Sequence, residues 1–260
     1  MASTKTELMD VLYSTLKELD KVSSGSDPDY LKSENKLLSY FYTPNSNLSN
    51  VISELESTIE TYKDKKKDSH YNNTIGRLME QIAFLSFKSI EGVSAVSSFQ
   101  SSGPQYDLIV TGDTPQWLSL CSLMRINHEN RDIIIEAKAT QAKVNDQQFA
   151  RLCSLMQMNL KNTAGLGVFF SLNGASGFPT NKRIKGLQAA RLRQVMFMLS
   201  EKKPIVVFDK NDIISLDKPG SLIKIIIQKI REIDQLSGLN IPPDIEKPVY
   251  CDLPAHLTNI

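Results

Sequence analysis

Residues 131–140 read Arg131-Asp132-Ile133-Ile134-Ile135-Glu136-Ala137-Lys138-Ala139-Thr140. Three consecutive isoleucines, stiff at χ1, suit a pleated sheet better than a helix and predict a buried strand. Side chains alternate faces along a strand, so Glu136 and Lys138 point the same way at its end. Burying either charge alone is costly, which leaves a mutually neutralised couple or a site that uses both groups. Upstream, Ser102-Gly103-Pro104-Gln105-Tyr106-Asp107-Leu108-Ile109-Val110 is a turn followed by a short apolar strand with an acid, Asp107, at its start.

These stretches resemble the PD-(D/E)xK nuclease superfamily, in its Mrr-like, restriction-endonuclease-like branch, over residues 71–235. Ile75-Gly76-Arg77-Leu78-Met79-Glu80 is similar to the family's first core helix with its acid. Asp107 matches the acid of the second strand, and Glu136-Ala137-Lys138 matches the signature. The resemblance implies an α/β fold with a restriction-endonuclease-like core, a mixed central sheet flanked by helices; apolar spacing adds an N-terminal helical segment before it. It also implies that Glu80 is an outer metal ligand and that Gln148, early in the next helix, lies near the metal. Read from the residues alone, Glu80 is an ordinary helix-surface charge and Gln148 a surface glutamine at a helix start.

The chemistry of phosphodiester hydrolysis matches this set. The ester is a poor electrophile surrounded by negative charge, so its cleavage needs a cation on the phosphoryl oxygens and a water made nucleophilic near neutral pH. Hard oxygen donors suit Mg²⁺ or Mn²⁺, and Asp107, Glu136 and the Ala137 carbonyl can supply them. Lys138 then orients or deprotonates the attacking water. The expected function is a metal-dependent endonuclease acting on DNA, in a restriction, antiviral defence or repair role. Two alternatives stay open: an RNA-directed nuclease, and a catalytically inactive nucleic-acid-binding or scaffold subunit with the same fold.

A chain of 260 residues, 41% hydrophobic and 23% charged, holds one sizeable domain and an appendage, and its formal net charge of +1 excludes a uniformly basic nucleic-acid binder. Cys121, Cys153 and Cys251 are odd in number and widely spaced, which fits reduced thiols in a cytoplasmic protein. His70, His128 and His256 are equally scattered, and the N-terminus has no signal-peptide run. No apolar stretch approaches the length needed to cross a bilayer.

Three domains are expected: a helical segment over residues 1–70, a nuclease core over 71–238 and an extended tail over 239–260. In the first, Leu8, Val11, Leu12, Leu16, Leu19 and Val22, and later Leu48, Val51, Ile52, Leu55, Ile59 and Tyr62, fall at helical spacing. Amphipathic helices of this kind should pack on the core, on a copy of themselves or on another protein, and self-assembly or a partner is the expectation. Residues 1–70 carry nine Lys or Arg and twelve Asp or Glu, leaving 21 basic against 17 acidic residues for the rest. That excess is concentrated in residues 181–203, where Lys182, Arg183, Lys185, Arg191, Arg193, Lys202 and Lys203 meet one acid, Glu201. Lys182, Arg183, Lys185, Arg191 and Arg193 are therefore the candidate phosphate contacts, with solvated helix charge as the other reading.

Two further segments need placing. Residues 114–130, with Trp117, Leu118, Leu120, Leu123 and Met124, read either as a lid or partner surface or as a short helix folded onto the core. Residues 144–161 predict one continuous helix, striped by Phe149, Leu152, Leu155, Met156 and Leu160.

Overall fold

The computed structural model describes residues 28–63, 69–99, 106–127, 129–138, 143–176 and 190–237. Three helices come first: α1 (Pro28–Phe41), α2 (Ser46–Thr61) and α3 (Ser69–Lys88). Five strands, β1 (Ala95–Phe99), β2 (Tyr106–Thr111), β3 (Asp132–Lys138), β4 (Ala164–Ser171) and β5 (Ile205–Phe208), form one sheet in sequence order. β1, β2 and β3 are antiparallel in turn, and β3, β4 and β5 run parallel. Parallel neighbours need a crossover. Here α5 (Asp146–Ser154) joins β3 to β4, and α6 (Ala190–Glu201) lies between β4 and β5 in the chain. The molecule is thus an α/β protein with a five-stranded mixed sheet flanked by helices.

The isoleucine run explains why the sheet has two covered faces. Ile133 and Ile135 enter the larger core with Val110, Leu166, Val168 and Phe170, while Ile134 joins Phe149, Leu152, Met156 and Phe169 on the other face. All three isoleucines have no exposed surface. Each contributes roughly 1.5–3 kcal/mol on burial. β4 is buried over its whole length, as a parallel strand covered on both faces should be. It passes so close to its neighbour that a Cβ at Gly165 would lie 1.8 Å from the Asn130 carbonyl oxygen. Only glycine fits there.

Of the packings open to the N-terminal helices, the described ones take the core of the same chain. α1 and α2 bury Leu37, Leu38, Leu48 and Leu55 in the same core as α3 and the last of the described helices, α8 (Ser221–Ser237). The Tyr42 hydroxyl donates to the Leu216 carbonyl at 2.5 Å, and the Gly220 N–H donates to the Tyr42 carbonyl at 2.9 Å. Residues 28–63 are therefore structural parts of the core. The expected first helix, within 1–27, and the tail, 239–260, lie outside the described residues.

Three local readings resolve similarly. Residues 115–123 form α4 (Pro115–Leu123), whose N-cap Thr114 accepts from the Trp117 N–H, and Trp117 is wholly buried. The insert is a helix folded onto the core, and the lid reading is set aside. The helix expected over 144–161 stops sooner: α5 passes into a π-helical turn, Leu155–Asn159. There the buried Lys203 ammonium donates to the carbonyls of Lys161 at 2.5 Å and Met156 at 3.4 Å. A side-chain donor on carbonyls at a helix end satisfies acceptors that the helix leaves open. The turn after β5 becomes α7 (Lys210–Ile214), started by an Asp209–Asp212 capping box.

Candidate active site

Strand register brings the acids together. Leu108 pairs with Ile135 and Ile109 with Ile134 in the β2–β3 ladder, so one step further Asp107 faces Glu136. The Ala137 N–H donates to Asp107 Oδ2 at 2.6 Å. Because the N–H and C=O of a strand residue point toward the same neighbour, the Ala137 carbonyl lies on the Asp107 side of β3. Two carboxylates and a main-chain oxygen are thus gathered at one edge of the sheet.

Glu136 is only 3% exposed. Its Oε2 accepts from Lys138 Nζ at 2.6 Å and its Oε1 from Arg151 at 3.3 Å. Burial, the largest influence, pushes the Glu136 carboxyl above the ordinary glutamate value, against the downward pull of Lys138 and Arg151; nearby Asp107 adds to the rise. The local charge is balanced, with Asp107 and Glu136 against Lys138 and Arg151. Such a box holds a buried carboxylate in one orientation, since each oxygen has its own donor.

Glu80 sits on α3, exposed, on the other side of the sheet. Its carboxyl is also raised, by partial burial first and then by the charge of Asp107, so the two acids sense each other. Gln148 has a different task from the expected one. Its side-chain oxygen accepts from the Asn145 N–H at 2.9 Å while Asn145 Oδ1 accepts from the Gln148 N–H at 3.0 Å, a capping box that starts α5. The Gln148 side chain is thus engaged at the helix start.

Arg151, which the sequence reading did not single out, is the residue of α5 that meets Glu136. It lies on α5 one residue before the buried Leu152 and reaches back to Glu136. The signal was present: an arginine one turn into the helix after a Glu-x-Lys strand, on the margin of its apolar stripe.

The basic run of residues 181–203 also divides. Arg191 is buried, 4% exposed, with its guanidinium on the Gln194 side chain at 2.7 Å and 3.7 Å from Glu232. Gln194 in turn donates to the Ile205 carbonyl. Lys203 is buried under the π-helical turn. Both are interior charges that hold elements together, and Arg191 also lines a cavity at the ends of β4 and β5. Arg193 is half-exposed and grips Asp146 with two bonds, 2.7 and 2.8 Å, joining α6 to α5. Lys182, Arg183 and Lys185 lie outside the described residues.

The chain matches no family model, no curated protein and no solved structure. The site therefore has to be judged on its own chemistry. Among the described residues, no three His, Cys, Asp or Glu side chains gather to hold a metal unaided. Two carboxylates and a carbonyl are hard oxygen donors of the kind that Mg²⁺ or Mn²⁺ takes, and the residues present fit such an ion. The described thiols offer no alternative nucleophile, since burial pushes Cys121 and Cys153 up to about 12. No helix among the described residues is long and apolar enough to cross a membrane.

Proposed function

We propose that the protein is a metal-dependent nuclease with a restriction-endonuclease-like core, hydrolysing phosphodiester bonds in DNA. The observation that carries this reading is the meeting of Asp107, Glu136 and Lys138 at one sheet edge, with the Ala137 N–H bonded to Asp107. Asp107, Glu136 and the Ala137 carbonyl would hold Mg²⁺ or Mn²⁺. When bound, the ion supplies positive charge at the phosphoryl oxygens and makes a nucleophile of water near neutral pH.

The remaining work falls to the chain's own groups. The Lys138 ammonium, 18% exposed and anchored by Glu136, orients the attacking water and offsets negative charge that develops beside it. The half-exposed Arg151 guanidinium can turn from Glu136 to the phosphate and stabilise charge that develops on it. Glu80 adds a carboxylate on the far side of Asp107, suited to an outer-sphere contact through water.

The test is incubation with supercoiled plasmid, single-stranded DNA and RNA, with Mg²⁺ and with chelator. Nicking or linearisation that needs the metal, and that Glu136→Ala abolishes, supports the reading. The salt-bridging of both Glu136 oxygens favours a second one, a nucleic-acid-binding subunit that keeps the site as an ion-pair box. Retained DNA binding without cleavage in any metal would select it, and cleavage of RNA alone would change the substrate.

A further inference from the structure

A second polar pocket opens at the same edge of the sheet. Lys138 pairs with Ser171 and Phe170 with Phe208, so the C-terminal ends of β3, β4 and β5 are level. Beyond β4 and β5 lies a cavity of about 490 Å³. In open α/β sheets, ligands bind outside the carboxyl ends of the parallel strands. Two strand spacings put this cavity roughly 10 Å from β3.

The walls are charged, and the charges are mostly accounted for. Lys229 pairs with Asp212 at 2.7 Å, and the buried Arg191 lies 3.7 Å from Glu232. Asp209 Oδ1 accepts from the Asn211 and Asp212 N–H groups, capping α7. Lys143 and Lys210 also line the cavity, both exposed, and neither has an ion pair with a described residue. Gly174 shapes the floor at φ +64°, where a Cβ would meet nothing nearer than Asp209 Cβ at 3.9 Å. The pocket is therefore a polar cavity with a fixed buried guanidinium in its wall and two lysines left over at its mouth.

We infer that this pocket takes a phosphate of the polynucleotide strand a few nucleotides from the bond that is cut, with Lys143 and Lys210 as its contacts; the inference rests on the nuclease reading for its substrate. Phosphate contacts position a strand without reading its bases. The pocket thus sets register and affinity, independent of sequence.

The experiment uses full-length Glu136→Gln protein in chelator, with fluorescence anisotropy of labelled single-stranded and duplex oligonucleotides across a salt series. Lys143→Ala with Lys210→Ala should weaken binding to every sequence about tenfold near 0.1 M salt. It should also flatten the log–log salt slope by roughly 1.4 for single strands, at about 0.7 per lost contact. The control pair Lys36→Ala with Lys63→Ala, on and just after the N-terminal helices, removes the same charge elsewhere and should leave the slope as it was. Equal loss in both pairs, or no loss in the first, overturns the pocket, as does a parent protein that binds no oligonucleotide. Should wild-type protein cleave nothing while the Lys143 and Lys210 effect persists, the nuclease reading fails and the phosphate site stands.

Discussion

The carboxylate of Asp107 is bonded to the main chain of its partner strand: its Oδ2 accepts the Ala137 N–H at 2.6 Å. The acid is therefore aligned by the backbone between Glu136 and Lys138, and needs no other side chain to be placed. Asparagine keeps an acceptor for that N–H but loses the charge. Asp107→Asn should fold with a melting temperature no lower than wild type, because a like charge facing Glu136 is removed, and should lose metal-dependent cleavage by about a hundredfold or more. Asp107→Ala should lose the same activity and also about 1–2 kcal/mol of stability by denaturant titration. Unimpaired cleavage in Asp107→Asn would remove Asp107 from the metal site.

Glu136 carries the pH dependence. Its folded carboxyl is raised, chiefly by burial, so the folded protein keeps that proton to higher pH than the unfolded chain does. Its contribution therefore favours the fold at low pH and is lost as pH rises from the ordinary glutamate value through the raised one. Glu136→Gln should be more stable than wild type at pH 7, by about 0.5–2 kcal/mol, with the advantage vanishing below the ordinary glutamate value. The same variant should be inactive. Thermal melts at pH 4 and pH 7 decide it, and a variant less stable than wild type at pH 7 contradicts the argument.

Arg151 should matter for turnover. Arg151→Ala is expected to lower kcat by about 10²–10³, with Arg151→Lys recovering part of it. The Arg151 charge lowers the Glu136 carboxyl, so its removal should move the acid limb of the pH–rate profile to higher pH. A profile that does not move would leave Arg151 with only a structural place on α5.

Gln148 should matter for stability alone. Gln148→Ala breaks half of the capping box with Asn145 and should cost about 0.5–1 kcal/mol, while kcat in metal stays within a factor of about two. A large fall in kcat at unchanged melting temperature would return the glutamine to the catalytic site.

A chain that starts at Ser69 should not fold. It would expose the partners of Leu37, Leu38, Leu48 and Leu55, each 3% exposed or less in the full chain. At roughly 1.5–3 kcal/mol per side chain, these alone rival the 5–15 kcal/mol that typically separates folded from unfolded states. Soluble, cooperatively melting protein from that truncation would restore the N-terminal helices as a separate segment.

The β-branched run was enough to place the strand at Ile133, Ile134 and Ile135, and apolar periodicity the helices around it, because a helix must turn its apolar residues toward a core wherever that core is; the α/β class was an expectation from the resemblance. Alternation along that strand placed Glu136 and Lys138 on one face. What spacing does not encode is partnership across the chain. That Asp107 meets Ala137 follows from the β2–β3 register, and that Arg151 meets Glu136 follows from how α5 lies on the sheet. Charge counts over residues 181–203 could not tell the buried Arg191 and Lys203 from surface charge, since burial depends on what packs above them. The N-terminal helices show the same limit: an amphipathic stripe shows that a helix has a partner, and only the packed structure shows that α1 and α2 bury theirs in the core of the same chain.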